Sequence, residues 1–256
     1  MNMAKPEQLL TEFYATDADA RRINRQTLLY NGLMYLHFGV ALMGYLPLWT
    51  MLLSMPILAV RWMVSLHELY HLKEETKVDF ITRLMPPMFT PLSLGYREFQ
   101  DIHWCHHRFM ATPEDPDYYQ IRGSKLIGFI NALTLPDQAY FRWVACKGID
   151  LPLLGNSLIR LTVFVAMVWL SGLDFFWYWV PLRFAYGCSG FAFFYCLHRR
   201  GELYGVYPLR FSPLGERLIT LLFGREALSA ACHHDIHHAD PRVVAVLLPE
   251  VTQLLG

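Results

Sequence analysis

From Leu28 to Val60 the chain runs for 33 residues without an Asp, Glu, Lys or Arg. As one helix, at about 1.5 Å per residue, that stretch would be roughly 50 Å long, well beyond a hydrocarbon core of about 30 Å. Tyr45-Leu46-Pro47 offers a break, because proline disrupts a helix interior. The pattern predicts two spans, about 28–46 and 48–66, joined by a tight turn. Arg61 lies close enough to the end of the second span to snorkel. A second apolar stretch, Leu161 to Leu197, contains only Asp174 and Arg183 as charges. A turn at Gly172-Leu173-Asp174 makes it a second hairpin, with spans about 154–172 and 175–197. The expected fold is an all-α integral membrane protein, one domain over 1–256, with about four transmembrane helices in two hairpins.

Charge placement orients these spans. With the N-terminus inside, neither hairpin turn holds a Lys or Arg, and all Lys and Arg except Arg61 and Arg183 fall in the inside segments or at their edges. This is the positive-inside bias. It predicts a cytoplasmic (inner) membrane location, with both termini and residues 67–153 and 198–256 on the cytoplasmic side. Residues 1–27 are polar and lack the apolar run of a signal peptide. The composition, 54% hydrophobic and 17% charged with zero net charge, gives no basic field for nucleic acid. The 5 Cys form no C-x-x-C pair and their number is odd, which argues for reduced thiols rather than a disulfide framework. Two apolar but Pro- or Gly-broken stretches, Phe80–Gly95 and Leu126–Pro136, are candidates for interfacial segments, a substrate-tunnel lining or plain packing against the spans.

Histidine spacing carries the chemistry. His67 and His71 close the second span, His103, His106 and His107 lie in the inside segment, His198 ends the fourth span, and His234, His237 and His238 follow. Positions i and i+4 share a helix face. His67 and His71 can therefore meet one metal, and the first and third His of each H-x-x-H-H box share a face with the second beside them. Nine imidazoles at one membrane level exceed the need of a single ion. They suit two first-row metals, and imidazole by itself does not select among iron, zinc and copper. His37, mid-span without a His neighbour, is expected to be a packed or hydrogen-bonded polar residue.

The order H-x-x-x-H, H-x-x-H-H, H-x-x-H-H among four spans resembles the membrane fatty-acid desaturase superfamily. So do the 31 residues between His71 and His103, the acidic Asp-Pro continuation after the second box, and the tail from Asp240-Pro241 to Leu248-Pro249. The resemblance spans roughly residues 28–250. It implies a non-heme di-iron site that uses O2 and electrons from a separate ferredoxin-like or cytochrome-type donor. Carried onto this sequence, it implies the metal ligands His67, His71, His103, His106, His107, His198, His234, His237 and His238, with His198 as the further His between boxes two and three. The chain's length, His198-Arg199 and the DPDYY continuation also resemble bacterial carotenoid ketolases of the same superfamily. Fatty acyl desaturation or hydroxylation and carotenoid ketolation or hydroxylation are thus both implied outcomes.

Nearby carboxylates can orient ligating imidazoles through the far ring nitrogen. Glu68, Asp115, Asp117 and Asp235 are candidates, with His233 beside them; Asp115 and Asp117 can alternatively turn the chain around Pro113 and Pro116. Two other classes compete. A His-rich membrane zinc hydrolase needs only three or four ligands and an acidic base. A metal-binding or transport protein needs ionisable residues along the spans, where the first hairpin offers only His37 and Asn31.

Overall fold

The computed structural model describes residues 11–73, 77–84 and 93–255. Residues 85–92 of the expected Phe80–Gly95 stretch, 74–76 of the inside segment, 1–10 of the N-terminal segment and residue 256 lie outside the described residues.

Helix α1 (Asp17–Leu42) begins at Thr16, whose side chain accepts from Asp19 N while Asp19 Oδ2 accepts from Thr16 N at 3.0 Å. This reciprocal capping box starts the helix eleven residues before the expected span, within the polar segment. The helix stops just before Gly44, whose φ of +81° only glycine adopts readily. After a 3-10 turn at Leu48–Thr50, α2 (Met51–Leu72) carries the first His pair on its last turns. His37 Nε2 lies 2.8 Å from Thr50 Oγ1, which itself donates to Pro47 O at 2.7 Å. His37 therefore closes the hairpin turn.

Beyond Tyr96–Phe109 (α3), Lys125–Leu133 (α4) and Leu135–Lys147 (α5), Asp150 caps α6 (Leu151–Ser171) by accepting from Leu153 N at 2.9 Å. Helix α6 thus starts three residues before the 154 expected for the third span. Gly172, at φ +56°, ends α6; a 3-10 turn at Gly172–Asp174 leads into α7 (Phe175–Gly190) and a π-helix, Phe191–Cys196. An unbroken helix would separate Phe164 from Phe175 by about 16 Å. Their rings meet at 5.2 Å, so the chain reverses here. The core joins the two hairpins: Phe38 of α1, Met55 and Trp62 of α2, and Tyr178 and Leu182 of α7 are all buried in one cluster.

Two segments, Leu48–Leu72 and Leu151–Cys196, are long and apolar enough to cross a membrane. Helix α1 does not reach that apolarity, because Arg25, Gln26, Asn31 and His37 punctuate it. The surface of the second hairpin is unlike a soluble protein's. Leu151, Trp169, Leu170 and Leu173 are 82%, 81%, 72% and 82% exposed, and Leu154, Leu158 and Val165 between them are exposed too, an apolar surface of the kind that marks a membrane or partner contact. Helix α4 packs on α7 and on the π-helix through missing side chains: a Cβ on Gly187 would overlap Leu133, and one on Gly128 would overlap the Tyr195 ring. The outer residues Leu126, Ile127 and Ile130 stay exposed. After the second hairpin come a short β-hairpin, β1 (Arg199–Arg200) with β2 (Leu203–Tyr204), and helices α8 (Pro213–Phe223), α9 (Arg225–Cys232), α10 (His234–Ala239) and α11 (Leu248–Leu255).

Candidate metal centre

The end of a helix leaves carbonyls without intrahelical donors. On α2 these carbonyls are what positions the second histidine box. Tyr96 Oη lies 2.7 Å from both Leu69 O and Lys73 O, and Gln100 Nε2 donates to Tyr70 O at 2.7 Å and Lys73 O at 2.8 Å. Helix α3 is thereby latched to the exit of α2, and His103 Nε2 reaches 2.8 Å from His71 Nε2. The third box is drawn in by Glu68, buried on α2, whose Oε2 accepts from Ala245 N at 2.9 Å.

The result is two groups of imidazoles. Ligand atoms of His67, His71, His103, His107 and His237 all lie within 4.8 Å of one another, and so do those of His106, His198 and His238. His234 packs against the second group, its ring centroid 5.0 Å from His198 and 4.6 Å from His238. The two H-x-x-H-H boxes cross. In the second box the outer pair, His103 and His107, joins the first group, and the middle His106 joins the second. In the third box the middle His237 joins the first group, while the outer pair, His234 and His238, lies with the second. The expected sharing of a face by first and third His holds; the middle His does not sit beside them. Adjacent helix positions do not face each other, and the one-residue offset from the third His turns the middle one toward the other group.

Groups outside the rings hold several of them. Asp115 Oδ2 accepts from His106 Nδ1 at 2.8 Å and from Ala111 N at 3.1 Å, and its Oδ1 accepts from Asp117 N at 2.8 Å. Asp115 therefore both turns the chain and leaves His106 Nε2 as the free nitrogen. Asp117 bonds Gln120 Nε2 at 2.7 Å and touches no imidazole nitrogen by hydrogen bond. Burial and then the adjacent Asp115 charge raise its carboxyl to about 7. Burial alone would raise Asp115 too, but the bonds from His106 and the backbone outweigh it and hold it below the ordinary range. His198 Nδ1 lies 3.1 Å from both Phe193 O and Phe194 O. The π-helix supplies these carbonyls, a use of π-turns that recurs at functional sites. His198 Nε2 then faces His238 Nε2 at 3.2 Å. Glu68 Oε1 stands 3.6 Å from His67 Nδ1.

Two expected helpers lie elsewhere. Asp235 is exposed, on the outward side of α10. His233 Nδ1 pairs with Thr252 Oγ1 at 2.7 Å and fastens α11. Sequence reasoning missed the latch residues Tyr96 and Gln100, which carry no pattern of their own. It also missed a clamp after the third box, in which Asp240 accepts from Tyr14 Oη at 2.9 Å and from Arg242 Nε at 2.8 Å. Beside the imidazoles is an apolar cavity of about 100 Å³, bordered by His67 and His103 and walled by Trp62, Met63, Phe99 and Tyr186. Met63, His67 and Tyr70 recur at helical spacing, so this face of α2 was legible from the position of His67.

The donor set fits metal ions. His71 Nδ1, His238 Nδ1 and both ring nitrogens of His107, His234 and His237 are buried without a hydrogen-bond partner. An unpaired buried polar group costs about 1–3 kcal/mol, and a bound cation would take one ring nitrogen of each of these imidazoles. Burial first, then neighbouring imidazoles, pushes His103, His234, His237 and His238 far below the ordinary range, His107 to about 2 and His198 to about 3. These rings are neutral near pH 7, the metal-binding form. Two nitrogens bound at about 2.1 Å and about 90° apart lie roughly 3 Å from each other, as the His71–His103 and His198–His238 pairs do.

No curated protein and no solved structure matches the chain. The family model described as Fatty acid desaturase matches residues 43–256, which takes in every histidine of both groups. With that match over most of its length and two histidine clusters at the end of an apolar helix, the chain belongs to the fatty acid desaturase family, a family of oxidoreductases.

Proposed function

We propose that the protein is an O2-dependent, non-heme di-iron oxidoreductase that attacks a C–H bond of a fatty acyl chain at the membrane surface. The observation that carries this reading is the pair of imidazole groups, with their unpartnered buried nitrogens, beside an apolar cavity. His67, His71, His103, His107 and His237 would hold one iron, and His106, His198, His238 and His234 the other. Bound there, the irons supply the power to break an unactivated C–H bond with O2 and electrons, chemistry beyond any side chain.

The chain's own residues do the rest. Trp62, Met63 and Phe99 seat a hydrocarbon segment and exclude water. The seat next to His67 and His103 sets which carbon is attacked, because proximity and orientation govern such steps. Asp115 keeps the proton of His106 on Nδ1, and the Phe193 and Phe194 carbonyls do the same for His198. The site lies on the cytoplasmic side, reached from four spans, with α1 completing the first hairpin against α2. Electrons arrive from a separate ferredoxin-like or cytochrome-type protein.

Elemental analysis of detergent-purified protein tests this, with His234→Ala as control. The expected result is about two irons per chain, fewer in the control, as a two-metal site requires. Ferrous reconstitution should then give O2-dependent turnover of fatty acyl substrates, with carotenoids assayed in parallel. Zinc as the sole bound metal, with no turnover after ferrous reconstitution, would overturn the proposal in favour of a zinc hydrolase.

A further inference from the structure

The first turns of α1 present a face that the metal centre does not use. Arg21, Arg25 and Leu29 follow one another at intervals of four residues, so they share one side of the helix. Together with Ala18, Arg22 and Gln26 they line a surface hollow of about 390 Å³. Arg22 is engaged by Asp19 at 3.3 Å and approaches Glu226 at 4.0 Å. Among the described residues no carboxylate pairs with Arg21 or Arg25, and both are exposed. Leu29 begins an apolar ridge that continues through Leu33 and Leu36, which are 55%, 36% and 61% exposed.

A second element fixes the height of this face. Helix α8 buries none of its residues, and Leu214, Leu218 and Leu221 form an exposed stripe along it. That is the pattern of a helix lying in a membrane interface. Its last carbonyls, Leu221 O and Leu222 O, accept from Arg61 of α2 at 3.1 and 2.8 Å. A groove lined by Arg22 and Gln26 of α1 also takes in Arg61 and Phe223, so the arginine turn of α1 is level with the end of α8.

We infer that Arg21 and Arg25 form a binding site for one anionic phospholipid, its phosphate between the two guanidinium groups and an acyl chain along Leu29, Leu33 and Leu36. Guanidinium matches phosphate geometry with paired N–H donors. Basic residues at a helix's membrane boundary recognise anionic headgroups. The leucine ridge that opens from the same hollow distinguishes a lipid from a free phosphate or an acidic protein. This inference rests on the membrane placement proposed above.

Native mass spectrometry of the detergent-purified protein tests it, comparing phosphatidylglycerol with phosphatidylcholine of the same chains. One phosphatidylglycerol should be retained in preference to phosphatidylcholine. Arg21→Ala with Arg25→Ala should weaken its retention about thirtyfold, with metal content unchanged, while Arg21→Lys with Arg25→Lys should keep most of it. Equal retention of the two lipids, unchanged retention in the alanine variant, or displacement by inorganic phosphate would each overturn the site. Loss of donor-protein turnover in the alanine variant with lipid retention intact would also overturn it, in favour of protein docking. Flotation with phosphatidylcholine vesicles separates the two levels: protein that floats but shows no lipid preference refutes the site and leaves the placement standing. Protein that floats with neither phosphatidylcholine nor phosphatidylglycerol vesicles refutes both.

Discussion

The two imidazole groups are built by different means. The first, around His71 and His103, is assembled by helix faces: α2 and α3 deliver i, i+4 pairs, and the Tyr96 and Gln100 latch brings the helices together. The second, around His106, His198 and His238, is assembled ring by ring. Asp115 fixes His106, and π-helix carbonyls fix His198. A site made of helix faces depends on helix packing, and a site made of individually tethered rings depends on each tether.

The largest effect should come from removing a ring. His103→Ala and His198→Ala are each expected to abolish activity. Metal counting sharpens the comparison: each variant should lose the metal of its own group first. Simultaneous loss of both metals in either variant would show that the groups behave as one site.

Next come the tethers. Asp115→Asn should weaken metal binding by about 10–100-fold, the usual cost of losing an orienting partner. Chelator titration should show that loss at the second group, with the first retaining its metal. Equal loss at both groups would erase the distinction drawn between them.

The latch should act on folding more than on metal. Tyr96→Phe removes a hydrogen bond to the α2 carbonyls and should cost about 1 kcal/mol of stability, measurable as a lower melting temperature in detergent. Metal content should stay near normal, because Gln100 still bridges α3 to Tyr70 O and Lys73 O.

The smallest effects mark the boundary of the centre. His37→Ala breaks only the turn contact to Thr50, and His233→Ala only the contact to Thr252. Both variants should keep full metal occupancy by elemental analysis. Metal loss in His233→Ala would mean that the third box depends on α11 for its position.

By itself the sequence determined the parts whose physics is local. A 33-residue run without charge demands a break between two helices, and helical spacing pairs His67 with His71 and His103 with His107. It also separated His37 from the ligand candidates. Tertiary structure decided the rest, because those choices depend on atoms far apart in the chain. Only packing could show that the middle His of each box crosses to the other group, and that Asp115 reaches a ring while Asp235 faces outward. Only packing could show Glu68 reaching across 177 positions to Ala245 to bring the third box to the first. Helix periodicity gives the face of each residue on its own helix; which face meets which is fixed by contacts that no single segment encodes.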